Sequence, residues 1–311
     1  MQILRSVDSI PQSLRRGAMT IGNFDGVHLG HARLVERLKS RAAAVGGPAV
    51  VFTFDPHPVR VLRPDRAPPP LTWTDRKAEL LAELGVDAVV AFPTDAAFLR
   101  LGPREFFDRI VRDALEARAL VEGANFFFGR DRQGNVELLQ RLCREAGMLF
   151  EIVEPVAVDG EVVSSSRVRN LVAEGRVEEA SRLLTRPYCI RGRIVHGAGR
   201  GARLGYPTAN LSEVATLLPA QGIYAGRARL DGLWRPAAVS LGPNPTFGEG
   251  GLKVEAHLLD FHGDLYDRWM EVDFLARLRD IVRFGSVEDL LAEMRRDVAI
   301  TRAKVQQMEV W

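Results

Sequence analysis

Ile21-Gly22-Asn23-Phe24-Asp25-Gly26-Val27-His28-Leu29-Gly30-His31 is the segment from which the rest of this chain is best understood. Apolar Met19 and Ile21 mark the end of a strand, Asp25 and the glycines mark a tight turn, and Leu29, Ala32, Val35 and Leu38 repeat at helical spacing. His28 and His31 therefore stand at the start of a helix. The first backbone N–H groups of a helix lack partners within it and carry partial positive charge, so they attract anions such as phosphate. Glycine lets a ligand approach the backbone closely. Two histidines three residues apart project on one side of the first turn and can donate hydrogen bonds to phosphate oxygens. This layout suits in-line attack on the α-phosphorus of ATP, with pyrophosphate leaving and the imidazoles stabilising charge on five-coordinate phosphorus. The plainer alternative is a Gly/Asp turn before an ordinary helix, with two incidental surface histidines.

Downstream, Gly46 and Gly47 can end that helix, and the apolar run 49–54 reads as a strand buried on both faces. The run stops at Asp55-Pro56-His57-Pro58. Proline cannot continue a central strand, so this segment belongs at the carboxyl edge of a sheet, where open α/β folds bind ligands. We read Phe54, Pro56, His57 and Pro58 as a site wall, with a rigid surface turn as the alternative. Helices are expected over 74–84, with Thr74 as N-cap, and over 103–115; strands are expected over 86–92 and 119–121. Such alternation predicts a doubly wound parallel sheet.

After Val121 comes Gly123-Ala124-Asn125-Phe126-Phe127-Phe128-Gly129-Arg130. Three adjacent phenylalanines fit neither periodicity: either a flat aromatic ligand stacks there with Asn125 on its edge, or the rings plug the core. A helix over 133–146, a strand over 149–153 and a hairpin turn at Asp159-Gly160 follow. In Ser164-Ser165-Ser166-Arg167-Val168-Arg169 the hydroxyls open another helix. One serine suffices as a cap, whereas three serines with two arginines also offer donors for phosphate.

A helical stretch over 175–186 ends at Pro187, and beyond it short strands with frequent glycine predict a separate, small antiparallel β-barrel. We therefore expect domains at 1–186 and 187–311. A strand over 189–195 leads into a loop in which Gly197, Gly199, Arg200 and Arg203 either wrap a polyphosphate or form a flexible basic surface. Strands over 222–230 and 233–241 make a hairpin around Asp231-Gly232, and Asn244-Pro245-Thr246-Phe247 is a loop. A strand over 253–260 carries Glu255 among apolar neighbours, as a proton acceptor or as an exposed residue of a one-sided strand. A strand over 270–278 and a helix over 287–304, which closes across the barrel, end the chain.

Bulk properties narrow the classes. The 311 residues, 46% hydrophobic and 26% charged, suffice for two cores, and a net charge of +2 gives no electrostatic footprint for nucleic acid or an anionic membrane. Cys143 and Cys189 share no metal-ligand spacing and read as reduced cytoplasmic thiols. Residues 1–20 contain no signal-peptide apolar stretch, and no run approaches a membrane span.

The string from Gly22 to His31 resembles the nucleotide-binding signature of bifunctional riboflavin kinase/FAD synthetases. Asn125-Phe126-x-Phe128-Gly129 resembles that family's flavin-nucleotide segment, and Ser164-Ser165-Ser166 resembles its Ser-Ser-Thr stretch with the hydroxyl retained. Tyr206-Pro207-Thr208-Ala209-Asn210 contains the kinase module's Pro-Thr-Ala-Asn, and Arg279 to Phe284 resembles its flavin-side loop. Where the family has Asn-Ile-Gly this chain reads Ser240-Leu241-Gly242, and Ser240 is assigned no role.

The resemblance implies a Rossmann-like, nucleotidyltransferase-type domain followed by a kinase barrel with a terminal helix. In the first, Gly22, Asn23, Phe24, Asp25, Gly26, His28, His31, Ser164, Ser165, Ser166 and Arg167 bind ATP. FMN there contacts Phe54, Pro56, His57, Pro58, Asn125 and Phe128. In the barrel, Gly197, Gly199, Arg203, Tyr206, Pro207, Thr208 and Asn210 bind ATP, with Thr208 and Asn210 as Mg²⁺ ligands. Glu255 is the base acting on riboflavin, which Arg279 and Phe284 also contact. Substrates and products are then ATP, riboflavin, FMN and FAD. Two other classes stay open: a single adenylyltransferase for another phosphate ester with a passive barrel, and a flavin-binding regulatory protein.

Overall fold

The computed structural model describes residues 2–244 and 249–308. The chain divides into two compact units, Met1–Pro68 with Trp73–Ser164, and Pro69–Thr72 with Ser165–Trp311.

The first unit is built on one parallel sheet of β1 (Gln2–Leu4), β2 (Ala18–Ile21), β3 (Ala49–Asp55), β4 (Ala88–Pro93), β5 (Ala119–Gly123) and β6 (Leu149–Val153), in the order β1-β4-β3-β2-β5-β6. Alternate residues bury opposite faces. Met19, Ile21, Val50, Phe52 and Leu120 face one core with Ile110 and with Leu139 and Leu142 of α3 (Val136–Glu145). Ala18, Val51, Val89 and Val121 face the other, filled by α1 (Leu29–Val45) and α2 (Thr74–Glu83). Helices on both faces of a parallel sheet are the doubly wound fold the alternation predicts.

Local details follow from side-chain chemistry. Helix α1 stops at Gly46, whose φ of +64° is left-handed. Thr74 is not the N-cap of α2; Trp73 is, with extended backbone at φ −77° and ψ 162°, and the Thr74 hydroxyl donates to Asp55 Oδ2 at 2.9 Å. The helix expected over 103–115 begins as an α turn, Pro103–Phe106, and widens into a π-helix over Phe107–Ala114, with Phe106, Phe107, Ile110 and Val111 all buried.

Strand β2 lies between β3 on one side and β5 on the other, so the strand order reverses there. Ligands of open α/β sheets bind outside the carboxyl ends of the strands at such a point. The segments after β2, β3 and β5, which contain His28, His57 and Asn125, therefore share one edge of the sheet.

In the second unit, β9 (Tyr188–Val195), β10 (Ala209–Ser212), β11 (Gly222–Leu230), β12 (Leu233–Asn244), β13 (Glu249–Leu258) and β14 (Trp269–Arg279) close an antiparallel barrel in the order β9-β10-β13-β12-β11-β14. Strands β7 (Ala157–Val158) and β8 (Glu161–Val162) are a separate hairpin in the first unit, turning at Asp159-Gly160 with both φ values positive. Asp231-Gly232 turns the β11–β12 hairpin in the same way. Helices α4 (Ser165–Ala173) and α5 (Val177–Leu184) belong to the barrel unit, α5 packing on β9 and β14, and α6 (Val287–Met308) packs on β11 and β12. The compact units thus part at Ser164/Ser165, upstream of the 186/187 boundary expected from texture. Pro245, Thr246 and Phe247 of the expected loop lie outside the described residues.

Candidate active sites

In the first unit, His28 is the N-cap of α1, with extended backbone (φ −80°, ψ 175°). The turn before it is forced: Phe24 and Val27 have φ of +47° and +41°, and Gly26 +83°. A β-branched residue such as Val27 in the left-handed region costs on the order of 1–3 kcal/mol, a strain typical of ligand loops. The His28 and His31 rings stack with centroids 3.7 Å apart and planes 18° from parallel, and the Phe24 ring lies 4.9 Å from His31. Gly30 permits this packing, since a Cβ there would come 3.1 Å from the His28 ring. Phe24, Asp25 and His28 are all buried.

Two groups that the sequence reading passed over support this turn. Glu122 at the end of β5 is buried, and its Oε1 accepts the Ile21 N–H at 2.6 Å. Burial pushes that carboxyl well above its usual range, against the opposing pull of the Ile21 N–H and the Thr20 hydroxyl. Lys77 of α2 is also buried, its Nζ 3.5 Å from Thr53 Oγ1, and the Thr53 hydroxyl donates to the Asn23 carbonyl at 3.2 Å. Burial lowers the Lys77 ammonium below its ordinary value, while Asp25 and Asp55 oppose that shift. A lysine in a helical segment gives no signal of burial from spacing alone.

The other predicted flavin-side residues are placed as follows. His57 Nδ1 accepts the Val59 N–H at 3.1 Å and caps the short helix Pro58–Leu62. Phe54 and Phe126 are partly buried against the core, and Phe128 is buried in it. Phe127 is exposed beneath the Arg132 guanidinium, 4.6 Å from its ring centroid, and Asn125 is exposed. Two of the three rings are thus core and one is surface. Ser164 ends the first unit, whereas Ser165, Ser166 and Arg167 open α4 in the second.

The barrel's site is made by register. Asn210 pairs with Glu255, Glu255 with Ser240, Ser240 with Ile223, and Ile223 with Arg279, so one row runs across five strands. Their neighbours Ala209, Val239, Val254, Ala256 and Tyr224 are buried in the barrel, which leaves the row on its outer face. All five residues line one cavity together with Gly199, Tyr206, Thr208, Phe284 and His257. Leu290, Met294 and Asp297 of α6 complete its wall. Gly197 packs against Asn210, whose side chain a Cβ at 197 would strike at 2.2 Å. Arg203 and Pro207 are exposed, and the Pro207 carbonyl lies 2.8 Å from His257 Nδ1.

Arg279 is held in place: its Nη2 and Nε donate to Asp297 at 2.7 and 3.2 Å, and its guanidinium lies 5.6 Å from the Phe284 ring centroid. Burial raises the Asp297 carboxyl above its usual range although Arg279 pulls the other way. Ser240 was assigned no role because it stands where the family has an asparagine, yet it lines the cavity; His257 and Asp297 carried no signal in the sequence because only the pairing of strands and helix brings them there. The described residues contain no cluster of three His, Cys, Asp or Glu side chains suited to a metal. Thr208 and Asn210, two residues apart on one face, offer neutral oxygens of the kind a hard cation accepts alongside phosphates and water.

Family comparison agrees with this division into two sites. Residues 10–167 match the FAD synthetase family and residues 184–305 the riboflavin kinase family. The chain belongs to the bifunctional riboflavin kinase/FMN adenylyltransferase family. A member from Pseudomonas fluorescens is 39% identical over 97% of both chains, and one from Escherichia coli K12 is 34% identical over 97% of both. A crystal structure from Streptococcus pneumoniae, described as a macrolide-efflux protein, superposes with a TM-score of 0.85 at 30% identity, covering 96% of this chain and 98% of that one. No described helix of this chain is long and apolar enough to cross a membrane. The FAD synthetase match contains the whole Gly22–His31 segment, and the riboflavin kinase match contains every strand of the barrel.

Proposed function

We propose that this chain converts riboflavin to FMN on its barrel and FMN to FAD at the carboxyl edge of its parallel sheet, using ATP for both steps. The observation that carries the reading is the row Asn210, Glu255, Ser240, Ile223 and Arg279, which meets Thr208 in one cavity. A passive barrel has no need of it. Within that cavity Glu255 accepts the proton of the ribityl 5′-hydroxyl as its oxygen attacks the γ-phosphorus of ATP, and ADP leaves. Thr208 and Asn210 would hold Mg²⁺, which neutralises phosphate charge when bound. Gly197, Gly199, Arg203 and Tyr206 supply the ATP side, and Arg279 and Phe284 the flavin side.

In the first unit an FMN phosphate oxygen attacks the α-phosphorus of ATP and pyrophosphate leaves. His28 and His31 donate to the oxygens on which charge grows, beside the open N–H groups of α1. Pro56, Pro58, Asn125 and Phe128 form the FMN side. Both steps take place in the cytoplasm, where riboflavin, FMN and ATP are small-molecule partners.

Incubation with riboflavin and MgATP, followed by chromatography, tests the whole reading: FMN should form first and FAD after it. Absence of any new flavin sinks it, bound but unchanged riboflavin would favour a regulatory protein, and omission of Mg²⁺ should stop both products.

A further inference from the structure

We propose that Lys77 is a positioning residue for adenylylation, a buried cation that sets the nucleotide turn against the flavin-side wall. The inference rests on the assignment of FAD formation to the first unit. Lys77 lies on the first turn of α2, with only 7% of its surface exposed. Full burial of an ammonium is rare without counter-charges, and two elements supply them. From the turn between β2 and α1 comes Asp25, and from the end of β3 comes Asp55; both act on the lysine as opposite charges.

The two carboxylates belong to different halves of the site. Asp25 lies inside the Gly22–His31 turn, whose Asn23 carbonyl accepts the Thr53 hydroxyl at 3.2 Å, and that hydroxyl lies 3.5 Å from the lysine amine. Asp55 precedes Pro56, His57 and Pro58, and is also bound by Thr74 Oγ1 at 2.9 Å and Arg5 Nη1 at 3.1 Å; Arg5 reaches Asp75 at 3.5 Å as well. Lys77 thus ties the loop that faces ATP to the segment that faces FMN. A single point charge on a flexible stem can satisfy both carboxylates without reaching either substrate. Its removal would take away the opposite charge that both carboxylates share, and leave the Thr53 hydroxyl, which holds the Asn23 carbonyl, without its lysine neighbour.

The test uses the full chain with riboflavin, FMN and MgATP, the barrel's FMN formation serving as an internal control for folding. Lys77→Met, which keeps the stem and removes the charge, should lower FAD formation by at least about 10-fold, with FMN formation within twofold of wild type. Lys77→Arg should retain FAD formation near neutral pH. It should also move the alkaline limb of that activity upward, because guanidinium keeps its proton where a buried, downshifted lysine loses it. The proposal is overturned if Lys77→Met leaves FAD formation within twofold, or if Lys77→Arg leaves the alkaline limb where it was. Should the Met variant fail to fold, the alkaline limb of the Arg variant decides alone. A wild-type chain that makes no FAD would instead remove the functional assignment on which the inference stands.

Discussion

The two candidate sites are assembled in opposite ways. In the parallel-sheet unit the proposed phosphate donors come from one short segment: His28 and His31 are three residues apart, and the N–H groups proposed to hold the anion belong to the same helix start. In the barrel the groups come from five strands, two loops and α6, and no two of Asn210, Ser240, Glu255 and Asp297 are close in sequence. A helix end is a local object, so a site built on it travels with its motif. A site on the face of a barrel exists only when the strands pair in register, since a shift of one residue would turn Glu255 inward.

That contrast can be broken most sharply at Glu255. Its replacement by Gln should lower FMN formation by roughly 10²- to 10⁴-fold, the range for loss of a general base, while added FMN is still converted to FAD. Survival of kinase turnover in a chromatographic assay would remove the base assignment.

Next in size, His28→Ala or His31→Ala should lower FAD formation by on the order of 10²-fold, as for other transition-state donors, with FMN formation intact. Equal loss of both products would mean that the two sites do not work independently.

Asp297→Asn probes the tertiary part of the barrel site. Weakening a charged hydrogen bond of about 1.5–3 kcal/mol to Arg279 should raise the riboflavin KM by about 10-fold or more, with kcat less affected. An unchanged KM would show that Arg279 keeps its place without the Asp297 carboxylate, for which Glu293 of the same helix, 3.7 Å from Arg279 Nε, could then stand in.

The smallest effect is on stability. The Glu122 carboxyl is raised in the folded chain, so folding favours its protonated form, and the first unit should lose stability as pH rises from the ordinary carboxyl range to the raised folded value. Glu122→Gln should flatten that dependence in thermal melts followed upward from the ordinary carboxyl range. A slope identical to wild type would show that Glu122 does not contribute to the pH dependence.

Much of this was legible in the residues. The apolar run at 49–54, the glycines at 46 and 47 and the Asp-Gly turns at 159 and 231 each act through neighbours in the chain, and the corresponding elements are where they were expected. Thr74 lies one residue inside α2 and not at its cap, with its hydroxyl bonded to Asp55 of β3, a partner distant in the chain. The π-helical turns over Phe107–Ala114 were invisible because a pattern of apolar positions does not distinguish hydrogen bonds to the fourth residue from bonds to the fifth. The three phenylalanines at 126–128 could be sorted only by burial: Phe128 is buried in the core, Phe126 is partly buried against it, and Phe127 lies under Arg132.

Read alone, the amino-acid order determined the alternation of strands and helices, the change to a barrel after Pro187 and the pairing of two histidines with a helix start, because periodicity, capping and turn chemistry are local. Only tertiary structure decided that Ser240, His257 and Asp297 share a cavity with Glu255, and that Lys77 is buried under the opposite charges of Asp25 and Asp55. Those facts depend on which strands become neighbours and on how a cation without water finds its counter-charges, and both are settled by long-range packing.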